Sequence, residues 1–253
     1  MGKLSGKHAV VTGGGSGVGA AIARKLAEAG ATVTVSGRRK DALDEVAKSL
    51  GGISARTCDV TDPDSVSALF KSVADDHGGV DIVIANAGAA QASPFAKLDL
   101  ESWRKTIDVN LTGAYLTLHA GVAAMENKDW GRMITIASVA GLRGYPYVAH
   151  YCAAKHGVIG LTRSVAMELA ASGITVNAIC PGYTETPMLT RALDNVMDKT
   201  GMNREEATKA LLRTNPMGRF IQPDEVAQSV LWLCGPNSGA ITGQALSVSG
   251  GEV

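Results

Sequence analysis

His8 to Gly30 reads HAVVTGGGSGVGAAIARKLAEAG. His8 to Val11 is a short apolar run with the character of a buried strand. Thr12 to Gly19 follows as a glycine-rich turn. Apolar positions then recur at helical spacing (Ala20, Ile22, Ala23, Leu26, Ala27) and stop at Gly30. Strand, glycine turn and helix in that order open a βαβ unit able to hold a phosphate group. Gly13, Gly17 and Gly19 leave the backbone free to approach it, and Gly15, Ser16 and Val18 are candidate contacts in the same turn. The helix that follows offers unpaired N–H groups and the positive end of its dipole. The spacing is G-x-x-x-G-x-G, not the G-x-G-x-x-G of the usual dinucleotide fingerprint.

Working outward, the pattern repeats. Thr32 to Ser36, Ser54 to Cys58, Val80 to Ala85, Arg132 to Ala137, Ile174 to Ile179 and Ala245 to Val248 read as further strands. Helical segments separate them: Arg39 to Leu50, a helix started by Asp62-Pro63 and stopped by Gly78-Gly79, Leu100 to Met125, Ala149 to Ala170, and Pro223 to Leu233. Strands alternating with helices imply an α/β fold with a doubly wound, seven-stranded parallel sheet. No linker or repeat is visible, so residues 1–253 are expected to form one domain. Thr184 to Phe220 is too long for a plain connection and is expected to be a small helical lid.

Of the 253 residues, 45% are hydrophobic and 19% charged, which supports a large core and excludes a disordered chain. Lys plus Arg and Asp plus Glu both number 24, so neither nucleic acid nor an anionic membrane is an expected partner. Cys58, Cys152, Cys180 and Cys234 show neither C-x-x-C nor disulfide-framework spacing. They read as reduced thiols of a cytoplasmic protein, and no metal is expected. Neither a leader nor an apolar run of membrane-spanning length is evident.

The second strand ends in Ser36-Gly37-Arg38-Arg39. An acid here would accept from an adenosine ribose 2′-OH and select NAD. Two guanidinium groups suit a 2′-phosphate instead and favour NADP, the alternative being solvated charges at a helix start. Asp59-Val60 either meets the adenine edge or forms a plain loop. Asn86-Ala87-Gly88, Ser138 and Pro181-Gly182 fall at the carboxyl ends of three more strands, where open α/β sheets bind ligands. Small and polar residues on one rim suit a single long ligand lying across it. Tyr151 and Lys155 share one face of a helix. A free phenol has a pKa of about 10, and the neighbouring ammonium is expected to lower it toward the working range.

The T-G-x-x-x-G-x-G turn, Asn86-Ala87-Gly88, Ser138, Tyr151-x-x-x-Lys155, and Pro181-Gly182 with Thr186 together resemble the short-chain dehydrogenase/reductases over essentially the whole chain. The resemblance implies a Rossmann-type fold and hydride transfer between a nicotinamide cofactor and a carbonyl. It implies Tyr151 as general acid/base, Ser138 as hydrogen-bond partner of the substrate oxygen, and Lys155 as holder of the nicotinamide ribose. Asn110, within Asp-Val-Asn-Leu-Thr-Gly, matches the family's fourth member, which holds a water in a proton relay. Thr186 would contact the nicotinamide carboxamide, with Thr184 and Met188 beside it. A homo-oligomer, tetramer or dimer, built on the Leu100–Met125 and Ala149–Ala170 helices is implied as well.

For substrate, the chain resembles 3-oxoacyl-thioester reductases, polyketide ketoreductases and 3-hydroxybutyrate dehydrogenases. The last group grips a carboxylate with polar residues where this chain has Ala89-Ala90-Gln91 and Val139-Ala140. Beside Ser138 and Tyr151, the expected wall is largely apolar: Ala90, Val139, Leu142, Tyr145, Tyr147, Tyr183, Met188 and Leu189. Such a wall suits a ketone with an apolar body. The leading expectation is NADP(H)-linked reduction of a CoA or carrier-protein 3-oxoacyl thioester or related ketone. The alternative is an NAD-linked 3-hydroxy acid or other secondary-alcohol dehydrogenase. From another class comes a non-catalytic cofactor sensor, which has no need of the Ser138, Tyr151 and Lys155 set.

Overall fold

The computed structural model describes residues 2–253. Seven parallel strands form one sheet: β1 (His8–Thr12), β2 (Thr32–Gly37), β3 (Ile53–Thr57), β4 (Ile82–Ala85), β5 (Gly131–Ile136), β6 (Ile174–Pro181) and β7 (Ala245–Val248). Their spatial order is β3-β2-β1-β4-β5-β6-β7, so the direction of winding reverses between β1 and β4. Crevices at such a reversal receive ligands.

The central strands β1, β4, β5 and β6 are buried throughout because both faces of the sheet are covered there. Successive residues enter different cores. Ala9, Val11, Val33, Val35, Ile82, Ile84, Ile134 and Ile179 join one core. It is closed by α1 (Gly17–Glu28), α2 (Lys40–Ser49) and α9 (Pro223–Leu233). Val10, Val83, Ala85, Met133, Val176 and Ala178 join the other. It lies under α3 (Pro63–His77), α5 (Gly113–Ala124) and α6 (Ala149–Glu168).

Helix ends follow their local chemistry. The Asp62 carboxylate accepts from Asp64 N at 3.0 Å ahead of Pro63, and Gly78 closes α3 with φ +73. In α1, by contrast, Ser16 makes no capping bond and the first turn carries no acid. Its leading N–H groups are left for a ligand.

Two expectations are corrected. Leu100 to Met125 is not one α-helix: α4 (Leu100–Ile107) passes through a π-helical turn, Asp108–Thr112, into α5. Gly113 explains part of this, since a Cβ there would fall 2.7 Å from Val60 Cγ2 and α5 lies hard against that loop. The segment after β6 is more regular than expected. It contains α7 (Pro187–Thr200), capped by Thr186, and α8 (Arg204–Leu212), started by an Asn203–Glu206 capping box. Leu189, Leu193 and Ala207 give this pair its own apolar cluster, with Tyr183 and Phe220 packed on it. No helix among the described residues is long and apolar enough to cross a membrane.

Candidate active site

Since all strands run parallel, their carboxyl ends meet on one edge. At the end of β1, Gly13 and Gly17 have φ of +66 and +54, which glycine adopts at no steric cost. A Cβ at Gly13 would lie 2.8 Å from Ala87 Cα, and one at Gly19 would lie 2.4 Å from Asn86 Nδ2. The turn is therefore pressed onto the loop after β4. Asn86 braces it: Nδ2 donates to the carbonyls of Thr12 (2.9 Å) and Gly13 (3.1 Å). The Thr12 hydroxyl accepts from the N–H groups of Asn86 and Ala87. The Asn86 amide, expected to face a ligand, thus serves the turn, and Ala87 and Gly88 present the backbone.

Arg39 Nη2 donates to Ser16 Oγ at 3.2 Å, so α2's start is tied to the glycine turn. Arg38 Nη1 lies 4.0 Å from Asp59 Oδ2. Both guanidinium groups are exposed at the mouth beside Gly37. Asp59 Oδ1 accepts from Thr61 N (3.0 Å) and Thr61 Oγ1 (2.8 Å), and these bonds hold its carboxyl below the usual range. Val60 is buried against Gly113. Of the two readings of Asp59-Val60, the side chains fit the loop brace. The uncapped start of α1, the glycine floor and the two arginines together fit a pyrophosphate with a further anionic group on its ribose.

Ser138 after β5, Tyr151 and Lys155 on α6, and Asn110 on the π-turn are brought together from three places. Ser138 Oγ caps the short turn Val139–Gly141, accepting from Ala140 N at 3.1 Å. Its hydroxyl lies beside the Tyr151 phenol, near enough to lower that group's pKa. Lys155 Nζ donates to Ile136 O at 2.8 Å and sits 5.6 Å from the Tyr151 ring centroid. Asn110, on the π-turn, donates from Nδ2 to Ala89 O (2.8 Å) and Thr106 O (3.0 Å) and accepts from Ala89 N (3.3 Å). Gly88 passes between: a Cβ there would be 2.8 Å from Asn110 Oδ1 and 3.6 Å from Lys155 Nζ.

The electrostatics differ from the expectation. Burial pushes the Tyr151 phenol up to about 12, and the neighbouring Ser138 hydroxyl works against that shift. Burial likewise pulls Lys155 down to about 8. Loss of water outweighs attraction here, because the ammonium is directed at the Ile136 carbonyl rather than the phenol oxygen. Cys180, which the motifs passed over, lies beneath the pair. Its thiol is pushed up to about 11, again mainly by burial, with the Ser138 backbone working against that shift.

The expected substrate wall is also revised. Leu142 packs into the core under α6, and Tyr147 is 63% exposed with φ +67, its carbonyl accepting from Ser93 N. Ala90 is exposed on its loop. Tyr183 and Met188 are half-buried, and Tyr183, packed on the α7–α8 cluster, is near enough to Tyr151 to raise its phenol. Thr184 and Thr186 spend their hydroxyls locally, on Gly182 O and Thr184 O, and Thr186 also caps α7. The Thr186 methyl lies against Gly17, where a Cβ would meet it at 3.0 Å. Tyr145 is not an apolar wall residue: its hydroxyl donates to Glu252 Oε1 at 2.6 Å.

A family model described as enoyl-(acyl carrier protein) reductase matches residues 13–252. The chain belongs to the short-chain dehydrogenase/reductases. This short-chain dehydrogenase/reductase is 38% identical to a D-beta-hydroxybutyrate dehydrogenase of Rhizobium meliloti, over 97% of this chain and 98% of the relative. It is 40% identical to a putative ketoacyl reductase of Streptomyces coelicolor, over 96% and 95%. A phenylalanine-to-tryptophan variant of actinorhodin polyketide ketoreductase, solved with NADPH, superposes with a TM-score of 0.95 at 38% identity, covering 100% of this chain and 99% of the other. The protein is thus an oxidoreductase of a family that works on hydroxyl and ketone groups with nicotinamide dinucleotides.

Proposed function

We propose that this short-chain dehydrogenase/reductase interconverts a ketone and a secondary alcohol with NADP(H), its leading substrate class being 3-oxoacyl thioesters of CoA or a carrier protein. The observation that carries the reading is the convergence of Ser138, Tyr151 and Lys155, with the Ser138 hydroxyl beside the Tyr151 phenol and Lys155 Nζ held by Ile136 O. The turn Gly13 to Gly19 and the free N–H groups of α1 hold the pyrophosphate. Arg38 and Arg39 hold the 2′-phosphate that distinguishes NADP. Ala87, Gly88 and Lys155 border the nicotinamide ribose, and Pro181, Gly182, Thr186 and Met188 the ring. When bound, the nicotinamide gives a hydride to the ketone carbon or takes one from the alcohol.

Ser138 and Tyr151 donate hydrogen bonds to the substrate oxygen, where negative charge builds in the reductive direction. Tyr151 then yields its proton. A phenol near 12 is protonated at neutral pH and stands ready as a donor. Lys155 near 8 can resupply that proton. Asn110, besides the relay water that the family resemblance gives it, fixes the Ala89 loop against Lys155. Residues 1–253 act as one domain, with 184–220 as the lid. Four buried free thiols suit a reducing cytoplasm. Tyr115 on α5 and Met167 on α6, exposed at 46% and 82%, support association through these helices as a dimer or tetramer. A second reading, NAD-linked oxidation of a short 3-hydroxy acid, is favoured by the Rhizobium meliloti relative.

The test is Tyr151→Phe, assayed with an acetoacetyl thioester and with both NADPH and NADH. Expected are a loss of at least about 100-fold in turnover with NADPH and unchanged NADPH binding. A Tyr151→Phe protein that turns over like the parent overturns the assignment.

A further inference from the structure

Glu252 is buried, at 8% exposed, yet lies outside every motif read above. Its Oε1 accepts from two hydroxyls, Tyr145 Oη at 2.6 Å and Thr214 Oγ1. Its Oε2 is buried and has no partner in the protein. That oxygen faces Gly182, where a Cβ would come within 3.4 Å of it. Gly182 follows β6 on the ligand edge of the sheet.

Three segments meet at this carboxylate. Tyr145 sits between Ser138 and Tyr151 in the chain, in the loop that leads from one to the other. Gly182 and Tyr183 follow β6, and Thr214 follows α8. Gly182 lies at the ligand edge of the sheet, and Tyr183 is near enough to Tyr151 to raise its phenol. The negative charge of Glu252 is felt there: after burial, it is the next cause holding the Tyr145 and Tyr183 phenols above their ordinary values, and Tyr183 in turn raises Tyr151. A buried carboxylate oxygen without a donor is costly and is relieved by a ligand N–H or O–H. A second anion beside it makes the cost larger.

We propose that Glu252 is a specificity-determining residue, whose unpartnered oxygen accepts a hydrogen bond from an N–H or O–H of the substrate body and turns away ketones that carry a free carboxylate. The inference rests on ketone reduction at Tyr151 as proposed above. Within that reading it separates neutral esters and thioesters from short 3-oxo acids.

The test compares 3-oxobutanoate with its methyl ester, using NADPH, in the parent protein and in Glu252→Gln. Gln keeps the size and an oxygen for Tyr145 and Thr214 while removing the charge. The parent should favour the ester by at least about tenfold in kcat/KM, mostly through KM. Glu252→Gln should raise kcat/KM for the acid by at least about tenfold and change the ester by less than about threefold, with NADPH affinity unaltered. Glu252→Ala, which also breaks the ties to Tyr145 and Thr214, should loosen both substrates; if it fails to fold, the Gln variant decides alone. An acid-to-ester ratio that stays within about twofold between parent and Glu252→Gln overturns the role of Glu252 while leaving ketone reduction in place. Turnover of neither ketone by the parent would overturn both.

Discussion

A methyl group added at Gly19 has no room. Its carbon would sit 2.4 Å from Asn86 Nδ2 and 2.4 Å from Gly13 O, well inside contact distance. The Gly13 carbonyl belongs to the backbone of the turn, so the Asn86 amide must move first. It then gives up its bonds to Thr12 O and Gly13 O. Each such bond contributes roughly 1 kcal/mol, and residual overpacking against the Gly13 carbonyl costs about 1–3 kcal/mol more. Against this, alanine gains up to about 1 kcal/mol in helix propensity. The net for Gly19→Ala is a loss of roughly 2–4 kcal/mol. In a chain of this size that lowers Tm by roughly 5–15 °C. The same shift moves the pyrophosphate cradle and should weaken NADPH binding at least about tenfold. Thermal melts by circular dichroism and NADPH fluorescence titrations measure both, with Gly51→Ala as the control because nothing lies within 4 Å of its Cβ position. A Gly19→Ala protein that melts within about 1 °C of the parent and binds NADPH as tightly would refute the close-approach argument.

Lys155 sets a pH limit. Its pKa of about 8 lies below the ordinary value of 10.5, so kcat/KM for NADPH, which reports the free enzyme, should fall as pH rises through about 8; a profile flat to pH 10 would contradict the assignment. The linked stability runs the other way: the unfolded chain holds the extra proton between about 8 and 10.5, so folding gains stability across that window and not below it, a trend that Lys155→Met should remove in urea titrations. Arg39→Ala removes the guanidinium bonded to Ser16 and should cut kcat/KM with NADPH by about 10- to 100-fold while changing NADH by less than about threefold. An equal loss with both cofactors would point to the loop and not to a 2′-phosphate.

Local chemistry was legible in the residues. Asp62-Pro63 and Gly78 mark α3 to the residue because a cap, a proline and a left-handed glycine act within one turn. The central strands could be counted because runs buried on both faces differ sharply from the helices around them, and β3 and β7 because they alternate with helices in the same order. What escaped depends on distance or on geometry that leaves no pattern. The π-turn at Asp108–Thr112 sits inside an unbroken helical sequence, and widening by one residue does not alter residue types. Leu142 and Tyr147 lie four and nine positions past Ser138, yet one turns into the core and the other into solvent. Glu252 meets Tyr145 across 107 residues, which only the folded sheet brings together. The Lys155–Tyr151 pairing was legible as proximity, but the balance between attraction and lost hydration needed the burial of both.

The π-turn has one more consequence. An α-helix advances about 100° per residue. The extra residue in Asp108–Thr112 therefore sets the phase between α4 and the catalytic floor beneath α5. Val109 could change type with little effect, but deleting it would rewind the segment. Either Ala114 and Leu118 would leave the sheet, or Asn110 would swing away from Ala89. Both cannot be kept. At Val109 the constraint falls on chain length and not on residue identity, so this position tolerates substitution where it rejects a single insertion or deletion.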